Sequence, residues 1–166
     1  MKVGFIGLGI MGKPMSMNLL KAGNELVVFD FNETAVAEVV AAGAKGVKSG
    51  AEVAAECDTI ITMVPNSPHV RAACLGEGGI AEAAKPGTVV IDMSSIDPVE
   101  SKKIGAELAE KGIEATQDVL DFVVGNDADD TNAKIDKLVK IVEYQLKKAE
   151  IARATGTTPK TMTNSG

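Results

Sequence analysis

The sequence predicts an α/β protein built on a doubly wound parallel sheet, and three observations carry that prediction. Short apolar runs alternate with segments of helical period along most of the chain, the pattern left by strands joined through crossover helices. The strand segments are nearly continuous in apolar residues, as strands covered on both faces must be. Gly23, Gly43 and Gly112 stand where helices should stop, each at the place of a left-handed C-terminal cap.

The elements follow in order. Strands are expected at Lys2 to Gly7, Glu25 to Asp30, a weak Ala44 to Val47, Asp58 to Val64, Thr88 to Asp92, and a shorter one near Ile113. Helices are expected near Ile10 to Ala22, Glu33 to Ala42, Gly50 to Glu56, Pro68 to Cys74 and Asp97 to Lys111. The pattern then changes, which divides the chain into an α/β domain over residues 1–114 and an extension over 115–166. In the extension, Asp118 to Val124 reads as a last strand, and the acidic stretch Asn126 to Asp130 is placed to cap a helix. That helix runs from about Ala133 to Ala154. Ile135, Leu138, Val142, Leu146, Ala149 and Ala152 recur on it at steps of three and four, beside Asp136–Lys140 and Glu143–Lys147 pairs. The Thr-, Gly- and Pro-containing end, Thr155 to Gly166, reads as a frayed tail.

Composition narrows the function. At 166 residues the chain has room for one core, and 45% hydrophobic with 24% charged residues is ordinary globular usage. A net charge of −6 without a basic run argues against nucleic acid, whose phosphates need Lys and Arg. No apolar run reaches bilayer length, and the one after Lys2 is broken by Gly4, Gly7 and Gly9, so it reads as a strand and not a leader. Cys57 and Cys74 lie too far apart for a redox motif and have no basic neighbour to activate them, so both are expected to be reduced thiols of a cytoplasmic protein. His69, the one histidine, reads as a partly exposed helix residue and not as a base. No metal-binding cluster is expected.

The chemistry concentrates at Gly7-Leu8-Gly9-Ile10-Met11-Gly12. A pyrophosphate is anionic and must be met without bulky side chains, and a helix N-terminus offers free amides and a positive dipole end. Gly7 permits the turn out of the strand, Gly9 lets backbone approach phosphate, and Gly12 lets the helix pack on the strand. Asp30 ends the next strand eighteen residues after Gly12, near the ~20 expected of a carboxylate that reads the ribose diol. This is the dinucleotide-binding fingerprint in its proper setting of strand, turn, helix and acid, which makes the fold Rossmann-type. Asp30 repels a 2′-phosphate, and Phe31 stands where an arginine would accept one, so NAD is favoured over NADP, although Lys13 or Lys48 leaves NADP open.

The run Phe5-Ile6-Gly7-Leu8-Gly9-Ile10-Met11-Gly12-Lys13-Pro14-Met15-Ser16-Met17-Asn18-Leu19 resembles the signature of the β-hydroxyacid dehydrogenases, which include 3-hydroxyisobutyrate dehydrogenases. The segments Ile61 to Val70 and Val90 to Ile96 are most similar to those of tartronate semialdehyde reductases in that family, and the likeness is continuous from Met1 to about Glu114. The resemblance implies a hydride transfer between nicotinamide and a small 3-hydroxy acid or glycerate-like acid and its semialdehyde. It also implies that Met63, Val64, Pro65 and Asn66 border the cofactor's adenosine side and ribose, with Ser95 near the nicotinamide; Phe31 and Asn32 join Asp30 at the adenosine end. From the residues alone, Pro65-Asn66-Ser67-Pro68 is equally a helix-starting turn, and Ser94 and Ser95 are equally a cap for the helix near Asp97.

The departures bear on activity. The family's Asp-Ala-Pro-Val-Ser-Gly-Gly substrate loop is replaced by Ala115-Thr116-Gln117-Asp118-Val119-Leu120-Asp121, and the family's all-helical second domain is expected to be absent. The family's catalytic lysine sits in a Lys-x-x-x-Asn setting, whereas Lys134 is followed four residues on by Leu138. No residue is therefore assigned a catalytic role, and whether the chain is an enzyme stays open. Val123 to Val142 resembles the family's last Rossmann strand and helix with the loop deleted, while Ala152 to Pro159 resembles the end of the interdomain helix. The alternative function is a non-catalytic dinucleotide-binding module, truncated or engineered. A long amphipathic helix must bury its stripe, so a homodimer through that helix is expected.

Overall fold

A computed structural model describes residues 2–116. In chain order they form β1 (Lys2–Ile6), α1 (Gly12–Lys21), β2 (Glu25–Phe29), α2 (Glu33–Ala41), β3 (Lys45–Gly46), α3 (Gly50–Glu56), β4 (Thr59–Thr62), α4 (Ser67–Leu75), β5 (Val89–Asp92), α5 (Pro98–Glu110) and β6 (Glu114–Thr116). One sheet takes all six strands in the order β3-β2-β1-β4-β5-β6, and every pairing is parallel. Strand order reverses between β1 and β4, so the loops at their carboxyl ends part there and leave the crevice in which such sheets bind ligands.

The apolar runs become central strands for the reason given by their composition. Val3 and Phe5 of β1, Val27 and Val28 of β2, and Ile60 of β4 have no exposed surface. Helices cover the sheet, and Val53, Val70, Ile80, Ile104 and Leu108 close one side of the core around Val27, Ile60 and Val90. The glycines expected to end helices do so: Gly23, Gly43 and Gly112 have φ of 84°, 114° and 75°. Asn32, Ser49, Asn66 and Asp97 cap α2, α3, α4 and α5 with their side chains.

Three details differ from the sequence reading. Helix α1 begins at Gly12 and not at Ile10, because Gly9 to Met11 are spent on the turn. Strand β4 ends at Thr62 and not at Val64, whose amide leaves the ladder for the Ser94 hydroxyl. A 3-10 turn, Ile80–Glu82, stands between α4 and β5 where no element was expected; three residues show no period, although its fully buried Ile80 anchors it. The expected strand 118–124, helix 133–154 and tail 155–166 lie outside the described residues.

Both thiols are core groups. Burial pushes Cys57 up to about 11 and Cys74 up to about 12, and both residues are buried. A thiol must ionise to attack a disulfide reagent. At pH 8 the native protein is expected to react with an aromatic disulfide reagent far more slowly than the protein in guanidinium, where two thiols per chain should titrate promptly. Fast native labelling would place a thiol at the surface.

Candidate functional site

The glycine turn is held by contacts that assign its three glycines different roles. Gly7 leaves β1 at φ 96°, its amide donating to the Phe29 carbonyl at 3.0 Å. A Cβ there would lie 2.2 Å from the Met63 carbonyl oxygen. A Cβ on Gly12 would lie 1.9 Å from the Gly7 carbonyl oxygen. These two are demands of the fold. At Gly9 a Cβ would meet none of the described residues within 4 Å, so its bareness serves no contact among them and leaves open space beside the backbone. Helix α1 has no side-chain cap and no acidic residue in its first turn, unlike the other four α-helices of the described residues, which are all capped. Its positive end therefore stays available to an anion.

Asp30 follows β2 and is half-buried. Its Oδ2 accepts from the Leu8 amide at 2.6 Å and its Oδ1 from the Asn32 amide at 2.7 Å. The carboxylate thus braces the glycine turn from the neighbouring strand, a contact the sequence reading did not anticipate, and each oxygen keeps lone-pair capacity for a further donor. Asn32 spends its side chain capping α2, accepting from the amides of Thr34 and Ala35. Phe31 is 90% exposed and Ile10 95%, so both apolar side chains stand in solvent, Phe31 edge-on to Phe29 with centroids 5.2 Å apart.

The other wall comes from β4 and β5. Met63 and Val64 are half-buried, while Pro65, Asn66 and Ser95 are exposed. Met63 lies against Gly7, and its amide donates to the Ile6 carbonyl at 2.9 Å. Asn66 is the cap of α4, and its Oδ1 lies 2.5 Å from Nδ1 of the exposed His69, which is thereby a helix residue as expected. The alternative reading of Ser94 and Ser95 as the cap of α5 is not realised: Asp97 accepts from the amides of Val99 and Glu100. Ser94 instead turns inward, where its hydroxyl accepts from the Val64 amide at 2.9 Å. A carboxylate reaches the first turn of α5 more readily than a hydroxyl two or three residues upstream.

The expected residues therefore gather at one end of the sheet, on the loops after β1, β2, β4 and β5. Sequence reasoning missed Asp92 and Thr62, which end β5 and β4 and are hydrogen-bonded at 2.8 Å. A signal was present: Asp92 closes an apolar strand as Asp30 closes its own. Among the described residues no group of His, Cys, Asp or Glu is placed to hold a metal ion, and no helix is long and apolar enough to cross a membrane.

Comparison with known proteins adds identity to this geometry. Residues 2–118 match the family model described as the NAD binding domain of 6-phosphogluconate dehydrogenase. Residues 100–156 match a second model, described as capsid assembly scaffolding protein Gp46. The chain is 49% identical over 113 residues to 2-(hydroxymethyl)glutarate dehydrogenase of Eubacterium barkeri, a match covering 68% of this chain and 38% of that protein. It is 38% identical over 139 residues to 2-hydroxy-3-oxopropionate reductase of Escherichia coli, covering 76% and 47%. The solved structure of Mycobacterium tuberculosis 3-hydroxyisobutyrate dehydrogenase with L-serine superposes with a TM-score of 0.64 at 36% identity, covering 69% of this chain and 38% of that one. The matched part spans less than half the length of each of these relatives.

The contrast among the glycines is measurable without a ligand. Gly12→Val drives a side chain into backbone and is expected to lose about 3 kcal/mol or more in urea unfolding, whereas Gly9→Val should stay within roughly 1 kcal/mol of the parent. Equal losses would mean that Gly9 is packed.

Proposed function

The chain belongs to the family of the NAD binding domain of 6-phosphogluconate dehydrogenase, and from that premise we propose that it holds NAD at the glycine turn and serves the interconversion of a small 3-hydroxy acid or glycerate-like acid and its semialdehyde by hydride transfer to or from the nicotinamide. The observation that carries this reading is the open space at Gly9 beside the uncapped start of α1. A pyrophosphate fits there because backbone amides and a dipole end meet its charge without a side chain intervening. Gly7 to Gly12 would cradle it. Asp30, already fixed by two backbone amides, would accept the ribose hydroxyls with its remaining lone pairs, with Phe31 and Asn32 beside the adenosine. Met63, Val64, Pro65 and Asn66 would border the adenosine side and ribose, and Ser95 would lie near the nicotinamide.

A bound nicotinamide would accept or donate the hydride, and the protein's part is to fix its position and keep its environment constant. The names of the similar dehydrogenases and reductases support the substrate class. The paired acid Asp30 and the lack of an arginine after it support NAD over NADP. No residue of this chain is assigned as the proton donor, since the lysine setting of the resembled family is not found around Lys134. Two buried thiols are in keeping with a cytoplasmic protein.

A second reading, a non-catalytic dinucleotide-binding module that dimerises through its C-terminal segment, is favoured by two observations. The substrate-loop sequence is replaced after Ala115, and residues 100–156 carry the likeness to a capsid assembly scaffolding protein. The boundary near residue 114 between domain and extension belongs to the same reading.

Two experiments test the cofactor site that both readings share, and two more separate the readings. NADH fluorescence titration should give saturable binding that Gly9→Val abolishes; unchanged affinity would remove the pyrophosphate from the turn. Asp30→Ala should weaken NAD more than NADP, because it deletes a ribose acceptor and a repulsion together, and an equal loss would show that Asp30 does not read the ribose. Light scattering should give a dimer that Leu146→Asp shifts towards monomer. A parent chain monomeric at high micromolar concentration would rule out pairing, and turnover of tartronate semialdehyde would favour the first reading.

A further inference from the structure

We propose that Asp92 is a positioning residue that clasps the ends of β4 and β5 and so fixes the spacing between the loop Met63 to Asn66 and the loop carrying Ser95. The proposal rests on the reading that these two loops border a bound dinucleotide. Thr62 and Asp92 are register partners and the last residues of their strands. Beyond them one loop runs into α4 and the other into α5, and they meet again where Ser67 Oγ accepts from the Asp97 amide at 3.2 Å. Asp92 Oδ1 accepts from the Thr62 hydroxyl at 2.8 Å and from the Ser94 amide at 3.1 Å. Ser94, fully buried, accepts through its hydroxyl from the Val64 amide at 2.9 Å. Thr62, Asp92, Ser94 and Val64 thus tie the two chain exits together through side chains where the backbone ladder stops.

The clasp is made at a cost that a simple strand ending would avoid. Asp92 Oδ2 is buried without a hydrogen-bond donor among the described residues. Asp92 lines a cavity of about 20 Å³ whose wall includes Val70, Cys74, Ile96, Ile104 and Leu108. Burial raises the Asp92 carboxyl, against the opposing donors from Ser94 and Thr62. The titratable group facing it from α4 is Cys74, itself pushed up to about 12 and neutral. Helix α5 contributes Ser101, Gly105, Ile104 and Leu108 to the wall and no charge, and Arg71 of α4 is committed to Glu107 at 2.8 Å and to Glu100. Among the described residues no cation therefore compensates the carboxylate. Polar groups kept at such cost are expected where local rules are broken for a site, and this one sits beneath the junction of the two loops.

A ligand that touches both loops depends on their spacing, and a ligand confined to one does not. The full chain and the variants Asp92→Leu, Asp92→Asn, Ser94→Ala and Thr62→Val are titrated with NADH and with AMP. Asp92→Leu and Ser94→Ala are expected to weaken NADH about tenfold, the scale of a lost buried hydrogen bond, while AMP affinity changes less than about twofold. Asp92→Asn keeps the Oδ1 acceptor and should hold NADH within about threefold of the parent. If Asp92→Leu does not fold, Ser94→Ala and Thr62→Val test the same clasp. A second readout is unfolding stability against pH. The folded-state carboxyl is raised, so its contribution is complete below the ordinary carboxylate range and is lost as pH rises through that range to the folded-state value; Asp92→Asn should lack this decline. Equal losses for NADH and AMP, or an Asp92→Asn variant as weak as Asp92→Leu, would overturn the clasp. A parent chain that binds neither ligand overturns the cofactor reading and the proposal with it. Parent binding with no change in any variant overturns the proposal alone.

Discussion

The carboxyl end of the sheet depends on one close approach, the stacking of two backbone carbonyls against two glycines. Met63 O closes on Gly7 and Gly7 O closes on Gly12, each nearer than any Cβ permits. This fixes where α1 starts, and it fixes the loop after β4 against the loop after β1. Asp30 then reaches across from β2 to the Leu8 amide, so three neighbouring strands share one rigid turn. Gly9, the residue between, is the one whose backbone remains uncovered. A structure tightly determined on both sides of a bare segment is preorganised for a ligand, because the chain loses little further freedom on binding.

Much of the fold was legible because its signals are local. Each central strand announces itself by an unbroken apolar run, as Val3 to Ile6 and Ile60 to Ile61 do, and each helix by a capping residue before it or a glycine after it. The edge strand at Lys45–Gly46 was weak in sequence and is two residues long in the structure for the same reason: one neighbour and little burial. The site was legible as a set of residues but not as a set of contacts. Asp30 could be placed by spacing, yet its grip on the Leu8 amide depends on strand register. Thr62 and Asp92, like Val64 and Ser94, are thirty residues apart and show no shared pattern; only parallel pairing of β4 with β5 brings them together. The serine alternative for capping α5 failed because Asp97, two residues beyond Ser95, holds the first-turn amides with its carboxylate, and spacing alone does not rank the two.

The charged pairs occupy other ground. Glu56 at the end of α3 joins Lys2 at 2.6 Å and Lys45 at 2.5 Å, at the amino ends of β1 and β3, while Arg71 joins α4 to Glu107 of α5. These groups are partly exposed, and such pairs add little stability. Their placement matters more than their strength. These ion pairs line the amino side and flank of the sheet; the carboxyl side keeps an uncapped helix start, exposed Ile10 and Phe31, and two carboxylates at strand ends, with Lys13 of α1 paired to Glu38 of α2 beside them.

The central position of β1 also constrains how the molecule is made. The ribosome delivers β1 first, but only its β2 neighbour follows closely; its other neighbour, β4, does not emerge until residues 59–62. Until then this central strand has an edge without its partner. Non-local parallel pairing of this kind is slow and leaves intermediates prone to associate. The stretch of synthesis between β2 and β4 is thus when the nascent chain is most exposed to wrong partners, and a chaperone acting on it would act there.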